Sequence, residues 1–173
     1  MANLVIKFWY PEIVEDIDKI VDAIEYYRTV LFDGQQHLTM KGWLEKLLQE
    51  QAGLLRIYED AHTDCSMVHK WLEEHIKFER AKKKLWYISA DGKAEYGDLK
   101  KTDVDLYVQC DPEIKNLIDL QLMIELWKEA LGTLVERLKK RGIYLSMITK
   151  IRISGEREVF IDANHETNPE TLR

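Results

Sequence analysis

Apolar residues recur at helical spacing over most of the chain. After Pro11, the positions Ile13, Ile17, Ile20, Val21 and Ile24 fall three and four residues apart, which predicts a helix from Pro11 to about Leu31. Phe32-Asp33-Gly34 then reads as a turn. From Thr39 a second pattern runs through Leu44, Leu47, Leu48, Leu55 and Tyr58. It continues through Cys65, Val68, Leu72 and Ile76 to about Tyr87 with no proline to stop it. One very long helix satisfies this pattern, as do two joined near residues 61–64. Residues 89–103 are polar, include Gly92 and Gly97, and read as a loop. Asp111-Pro112-Glu113 is a helix start, with Asp as cap, Pro at the first helical position and Glu in the first turn.

Behind that start, Leu117, Leu120, Ile124, Trp127, Leu131, Leu134 and Leu138 alternate steps of three and four, the a/d seam of a heptad repeat. A second stripe of Ile114, Ile118, Leu122 and Leu126 widens the apolar arc, so this helix needs cover on more than one side. A hairpin against the chain's own 40–87 helix supplies such cover. Self-association through the seam does too, and the two are compatible. Gly142 reads as the residue that ends the helix, followed by a short amphipathic piece with Ile143, Leu145, Ile148 and Ile151. Leu4–Tyr10 and Val159–Ile161 have strand character and are candidates to pair with each other. The expected fold is mainly α, with long helices in a hairpin or bundle, a heptad-patterned C-terminal helix and a minor short β element at the termini. Residues 1–38 read as an N-terminal extension, 39–155 as the helical domain, and 156–173 as a partly disordered tail.

Composition narrows the class. Eight Gly and three Pro in 173 residues are too few for the turns of an all-β fold. No apolar run is long enough to span a membrane, and the N-terminal segment lacks the basic start and cleavage site of a secretory signal. Two cysteines, Cys65 and Cys110, make no disulfide framework, so the expected compartment is reducing cytoplasm. The net charge of −6 argues against a protein that coats duplex DNA by bulk charge.

The charge is unevenly spread, however. The first 60 residues carry 6 basic and 11 acidic side chains, whereas 137–152 carry no acid at all. Two basic groups stand out. Arg137, Lys139, Lys140 and Arg141, continued by Lys150 and Arg152, sit where a helix C-terminus is expected and complement its dipole. Lys77, Arg80, Lys82, Lys83 and Lys84 also precede an expected helix end. The three consecutive lysines run around the helix rather than along one face, and Trp86 and Tyr87 follow at once. Ammonium groups beside rings suit single-stranded nucleic acid, where cations track phosphates and rings stack on unpaired bases. Those seven residues are the candidate DNA contacts, and core anchoring is the competing role for the two aromatics.

Catalytic signatures are lacking. There is no glycine-rich phosphate loop, dinucleotide fingerprint, nucleophile elbow or Cys-x-x-Cys, so no cofactor is expected. His62, Cys65, His69 and Glu73 have metal-like spacing, but consecutive turns of one straight helix spread them over about 16 Å. A half-buried helical face explains them, and no metal site is expected.

From about Leu55 to Gly155 the chain resembles the UvsY-type recombination mediators of T-even-like bacteriophages. Lys82-Lys83-Lys84-Leu85-Trp86-Tyr87 is similar to that family's basic-aromatic DNA-binding motif, with Lys84 in place of an arginine and Lys83 as an added charge. Asp103 to Asp111 resembles the acidic start of its long C-terminal helix. Arg141-Gly142-Ile143, with Met147-Ile148 and Arg152, resembles its closing turn and short last helix. The first 50 residues have no counterpart. The resemblance implies a non-enzymatic homo-oligomeric ring that binds single-stranded DNA and helps a RecA-like recombinase displace single-strand-binding protein. An oligomeric helical phage protein that binds a host or phage protein, with no DNA role, is the competing expectation.

Overall fold

The structure is a computed structural model and describes residues 9–39, 41–155 and 160–161. Among these it forms six helices: α1 (Trp9–Glu15), α2 (Lys19–His37), α3 (Leu44–Ile88), α4 (Ala90–Tyr96), α5 (Lys101–Cys110) and α6 (Pro112–Gly155). Two-residue strands β1 (Gly42–Trp43) and β2 (Phe160–Ile161) pair antiparallel. The fold is a mainly α bundle. No helix among the described residues is long and apolar enough to cross a membrane.

Several boundaries depart from the periodicity. The helix expected from Pro11 is broken after Glu15, because the Asp16 carboxylate accepts the Asp18 N–H (3.1 Å) in an Asx turn and α2 starts afresh at Lys19. Gly34 does not end α2. It lies inside the helix, where a Cβ would stand 2.2 Å from Leu134 Cδ2 and 2.9 Å from Tyr58. Glycine is there for close approach. Gly142 is likewise interior to α6, which continues to Gly155, so the expected closing turn and separate last helix are one helix. Of the expected loop at 89–103 only residues 97–100 form a connection between helices; the rest holds Ser89, the cap of α4, then α4 and the start of α5. The minor sheet has a different partner from that expected: residues 160–161 pair with 42–43, while Trp9 and Tyr10 are helical. Leu4–Phe8 and Val159 lie outside the described residues.

The chain forms two compact units, each assembled from separate stretches of sequence. The first comprises residues 1–7, 25–63 and 129–173. Its core holds Tyr27, Val30, Tyr58, Leu131, Leu134 and Leu138, with a second cluster of Leu44, Leu47 and Leu145 backed by Leu48 and Ile148. Burial, with the nearby Asp33, pushes the Tyr58 phenol up to about 12. One polar contact crosses this core. Buried Gln51 donates Nε2 to the Leu138 carbonyl (2.7 Å), and its Oε1 accepts from the buried Arg141 guanidinium.

The second unit comprises residues 8–24 and 64–128. Ile13, Ile20, Cys65, Val68, Leu72, Ile76, Ile114 and Ile124 are buried in it. The buried Asp64 carboxylate accepts the N–H groups of Trp9 (3.3 Å) and Tyr10 (3.2 Å). That contact satisfies donors which the first turn of α1 leaves open and fixes where the helix begins. Burial pushes the Cys65 thiol up to about 12, and its Sγ faces the Ile124 carbonyl at 3.6 Å.

Candidate nucleic-acid interface

The basic run occupies the last three turns of α3, in the second unit. Ser89 stops the helix: its backbone N–H and its hydroxyl both donate to the Trp86 carbonyl, and its Oγ accepts the Gly92 N–H as the cap of α4. Gly92 lets α4 lie against this end, since a Cβ there would stand 2.3 Å from the Trp86 carbonyl oxygen and 2.8 Å from Tyr87 Cα. Pro112 opens α6 as expected. Asp111 Oδ1 accepts the N–H groups of Glu113 (2.9 Å) and Ile114 (3.3 Å).

Four of the five candidate cations are ion-paired within the chain. Lys77 bridges Glu73 (3.0 Å) and Glu74 (2.9 Å), and Lys82 meets Glu79 at 3.2 Å. Lys83 reaches across to Asp111 (2.9 Å) and Glu113 (2.6 Å), and Lys84 to Asp105 (2.6 Å). Their partners hold the Lys77 and Lys83 ammonium groups above the ordinary lysine value: Glu74 then Glu73 for the first, Glu113 then Asp111 for the second. Hydrogen bonding to Lys84 lowers the Asp105 carboxyl. At Asp111 burial acts to raise the pKa, but Lys83 and the two α6 N–H groups outweigh it and leave the carboxyl below 3.8. The Lys83 charge therefore clamps the end of α3 to the start of α6. Arg80 alone among the five has no partner among the described residues, and its Nε is shut off from solvent.

The aromatics divide. Tyr87 is buried among Val104, Val108 and Leu99, the core role weighed for it, whereas Trp86 is 40% exposed. Two rings not among the candidate contacts join them, and the loop expected over 89–103 concealed the first of these, Tyr96. Tyr96 of α4 and Tyr107 of α5 are 40% and 42% exposed, with centroids 5.3 and 5.7 Å from Tyr87. Trp86 stands edge-on to Tyr87 at 5.0 Å and to Tyr96 at 6.0 Å. Three helices thus present partly exposed rings around one buried ring. The spacing of Val104, Tyr107 and Val108 carried a helical signal for Tyr107. Tyr96 had none.

The heptad seam is largely consumed by the chain's own packing. Ile124, Leu131, Leu134 and Leu138 are buried without any second copy, while Leu117, Leu120 and Trp127 are partly buried. In the second stripe Ile114 is buried and Ile118 partly buried, whereas Leu122 and Leu126 are exposed, with Met123 beside them. In the second basic group, Arg141 is a core residue, Lys139 pairs with Glu59 (3.4 Å) and Glu136 (3.3 Å), and Arg152 pairs with Glu45. That group lies within α6 rather than at a helix end, so the dipole explanation applies only to Arg152 in the last turn.

The metal-like positions take unrelated partners. His62 packs on Gly132, Cys65 faces a carbonyl, and Glu73 pairs with Lys77. His69 lies between Lys128 (3.4 Å) and Glu125 (4.0 Å). Among the described residues no group of three metal-ligating side chains converges. Compared with known proteins, the chain matches no family model, no curated protein and no solved structure.

Proposed function

We propose that the chain is a non-enzymatic single-stranded DNA-binding protein, working as a homo-oligomer. Its role is that of a recombination mediator, helping a RecA-like recombinase onto DNA covered by single-strand-binding protein. The observation that carries the reading is the group of exposed rings, Trp86, Tyr96 and Tyr107, beside the cations of α3. Rings of this kind stack on any unpaired base, and flanking cations hold the backbone between them. The likeness of Lys82–Tyr87 to the basic-aromatic motif of UvsY-type mediators supports the same assignment. A single patch of this size in an acidic chain binds weakly at physiological salt, and linked copies raise its avidity by about two to four orders of magnitude.

A second reading rests on one observation: the lysines already have carboxylate partners, while Leu85, Ile88 and Leu106 are exposed near the rings. A surface neutralised in this way and rich in apolar groups suits a protein partner. A salt titration with a fluorescent oligonucleotide, run beside light scattering for mass, separates the two. DNA binding should weaken steeply as salt rises, with a log–log slope of about −0.7 per phosphate contact. Absence of oligonucleotide binding at low salt would transfer the surface to the second reading.

A further inference from the structure

We infer that Arg80, with Lys84 and Gln109, forms a seat for one phosphodiester group. The inference deepens the DNA reading and rests on it for the source of the phosphate. Arg80, Lys84, Asp105, Val108 and Gln109 line an open polar cavity of about 290 Å³ where α3 faces α5. Arg80 and Lys84 are one turn apart on α3 and so share a face. Asp105 and Gln109 stand in the same relation on α5.

Three features give the cavity its chemistry. The first is the guanidinium. Arg80 Nε is out of solvent and has no acceptor among the described residues, an unfavourable state for a buried donor. Arg80 lines the cavity and has no carboxylate partner among the described residues, so its guanidinium has no competitor for an arriving oxygen. Guanidinium groups bind phosphate through two parallel N–H donors, a geometry that an ammonium lacks.

The second is the charge count. Arg80 and Lys84 bring two positive charges and Asp105 one negative, so the cavity has one unit of positive charge to offer. A phosphodiester carries one negative charge at neutral pH, and its arrival leaves the cavity neutral. Lys84 keeps its 2.6 Å contact with Asp105, so the arriving group need not compete for that carboxylate's partner. The third is the remaining wall. The Gln109 amide supplies a neutral donor, and Val108 supplies an apolar surface for sugar carbons. The motif lysines are arranged differently: Lys82 and Lys83 pair with Glu79, Asp111 and Glu113, none of which lines this cavity, and Arg80 lies outside the Lys82–Tyr87 motif.

The test follows the Arg80 Nε–H resonance in the intact protein, identified as the arginine side-chain signal missing from Arg80→Gln. Dimethyl phosphate alone and a short oligothymidylate are titrated separately. Saturable movement of that signal by both probes is expected. Arg80→Gln should lower oligonucleotide affinity about tenfold or more, as for loss of a hydrogen bond to a charged group. Lys70→Gln, which removes the same charge from an exposed site on α3 outside the basic run, should lower it less than threefold, and Arg80→Lys should restore only part of the loss.

DNA binding with the Arg80 signal unmoved, and with both Gln variants equally affected, would overturn the seat and leave the DNA reading standing. A signal that dimethyl phosphate moves in a protein that binds no oligonucleotide would uphold the seat and remove the DNA reading. Silence toward both probes overturns both. The wild-type titration decides the question even if a variant fails to fold.

Discussion

Replacing Gln51 with Leu tests the polar contact inside the first unit. Its Oε1 is the acceptor for the Arg141 guanidinium, and both side chains are buried. Burial already lowers the affinity of that guanidinium for its proton, with Glu50 acting the other way, so the cation is held in an unfavourable medium. Leucine fills nearly the same space and removes the acceptor. Hydrogen bonds to charged groups contribute about 1.5–3 kcal/mol, and the donor to the Leu138 carbonyl is lost as well. We expect Gln51→Leu to cost about 2–3 kcal/mol, read as a fall of about 1 M or more in the urea midpoint. Adding Arg141→Met removes the stranded charge, so the double variant should be more stable than Gln51→Leu alone. A single variant within 0.5 kcal/mol of wild type, or a double variant that only adds the two losses, would refute the assignment.

Other expectations follow from the same contacts. Gly92→Ala drives a Cβ into the backbone of Trp86 and Tyr87. Overpacking of about 1–3 kcal/mol exceeds the helix-propensity gain of about 1 kcal/mol, and the aromatic near-ultraviolet circular dichroism should fall as α4 moves away. Leu131→Asp buries an unpaired carboxylate in the first unit and should unfold it, whereas Leu126→Glu on the open stripe should keep the helical spectrum and lower the mass seen by light scattering. The carboxyls of Asp105 and Asp111 are depressed in the folded chain, so they stabilise it above the ordinary value of 3.8. That contribution is lost as pH falls through their folded values. An acid titration of stability should show the loss, and Lys83→Gln should shrink it.

What the sequence revealed depended on how local the cause was. Asp111-Pro112-Glu113 carries its own cap, and the start of α6 was legible to the residue. The long apolar patterns of α3 and α6 were legible for the same reason, because each helix is its own periodic record. Gly34 and Gly142 were misread as ends because the reason for each lies far along the chain. Leu134 and Tyr58 crowd one, and Gln51 crowds the other at 3.1 Å. At the candidate interface the cations and Trp86 were visible, but the partners that neutralise Lys83 and Lys84 are on α5 and at the start of α6, beyond any local pattern. Tyr96 was hidden in a polar stretch that becomes helical only because Ser89 caps it and Gly92 lets it pack.

The interleaving of the two units sets an order of events during synthesis. The second unit can close once residue 128 has been made, because all its parts are then present. The first cannot: residues 25–63 must wait for the stretch that begins at 129. At about 5–20 residues per second, translating residues 64–128 takes roughly 3–13 s. During that interval Leu44, Leu47 and Tyr58 have no Leu131, Leu134 or Leu145 to cover them. A nascent chain paused before residue 129 therefore displays the apolar half of an unfinished core, and it should be captured by holding chaperones more strongly than the released protein.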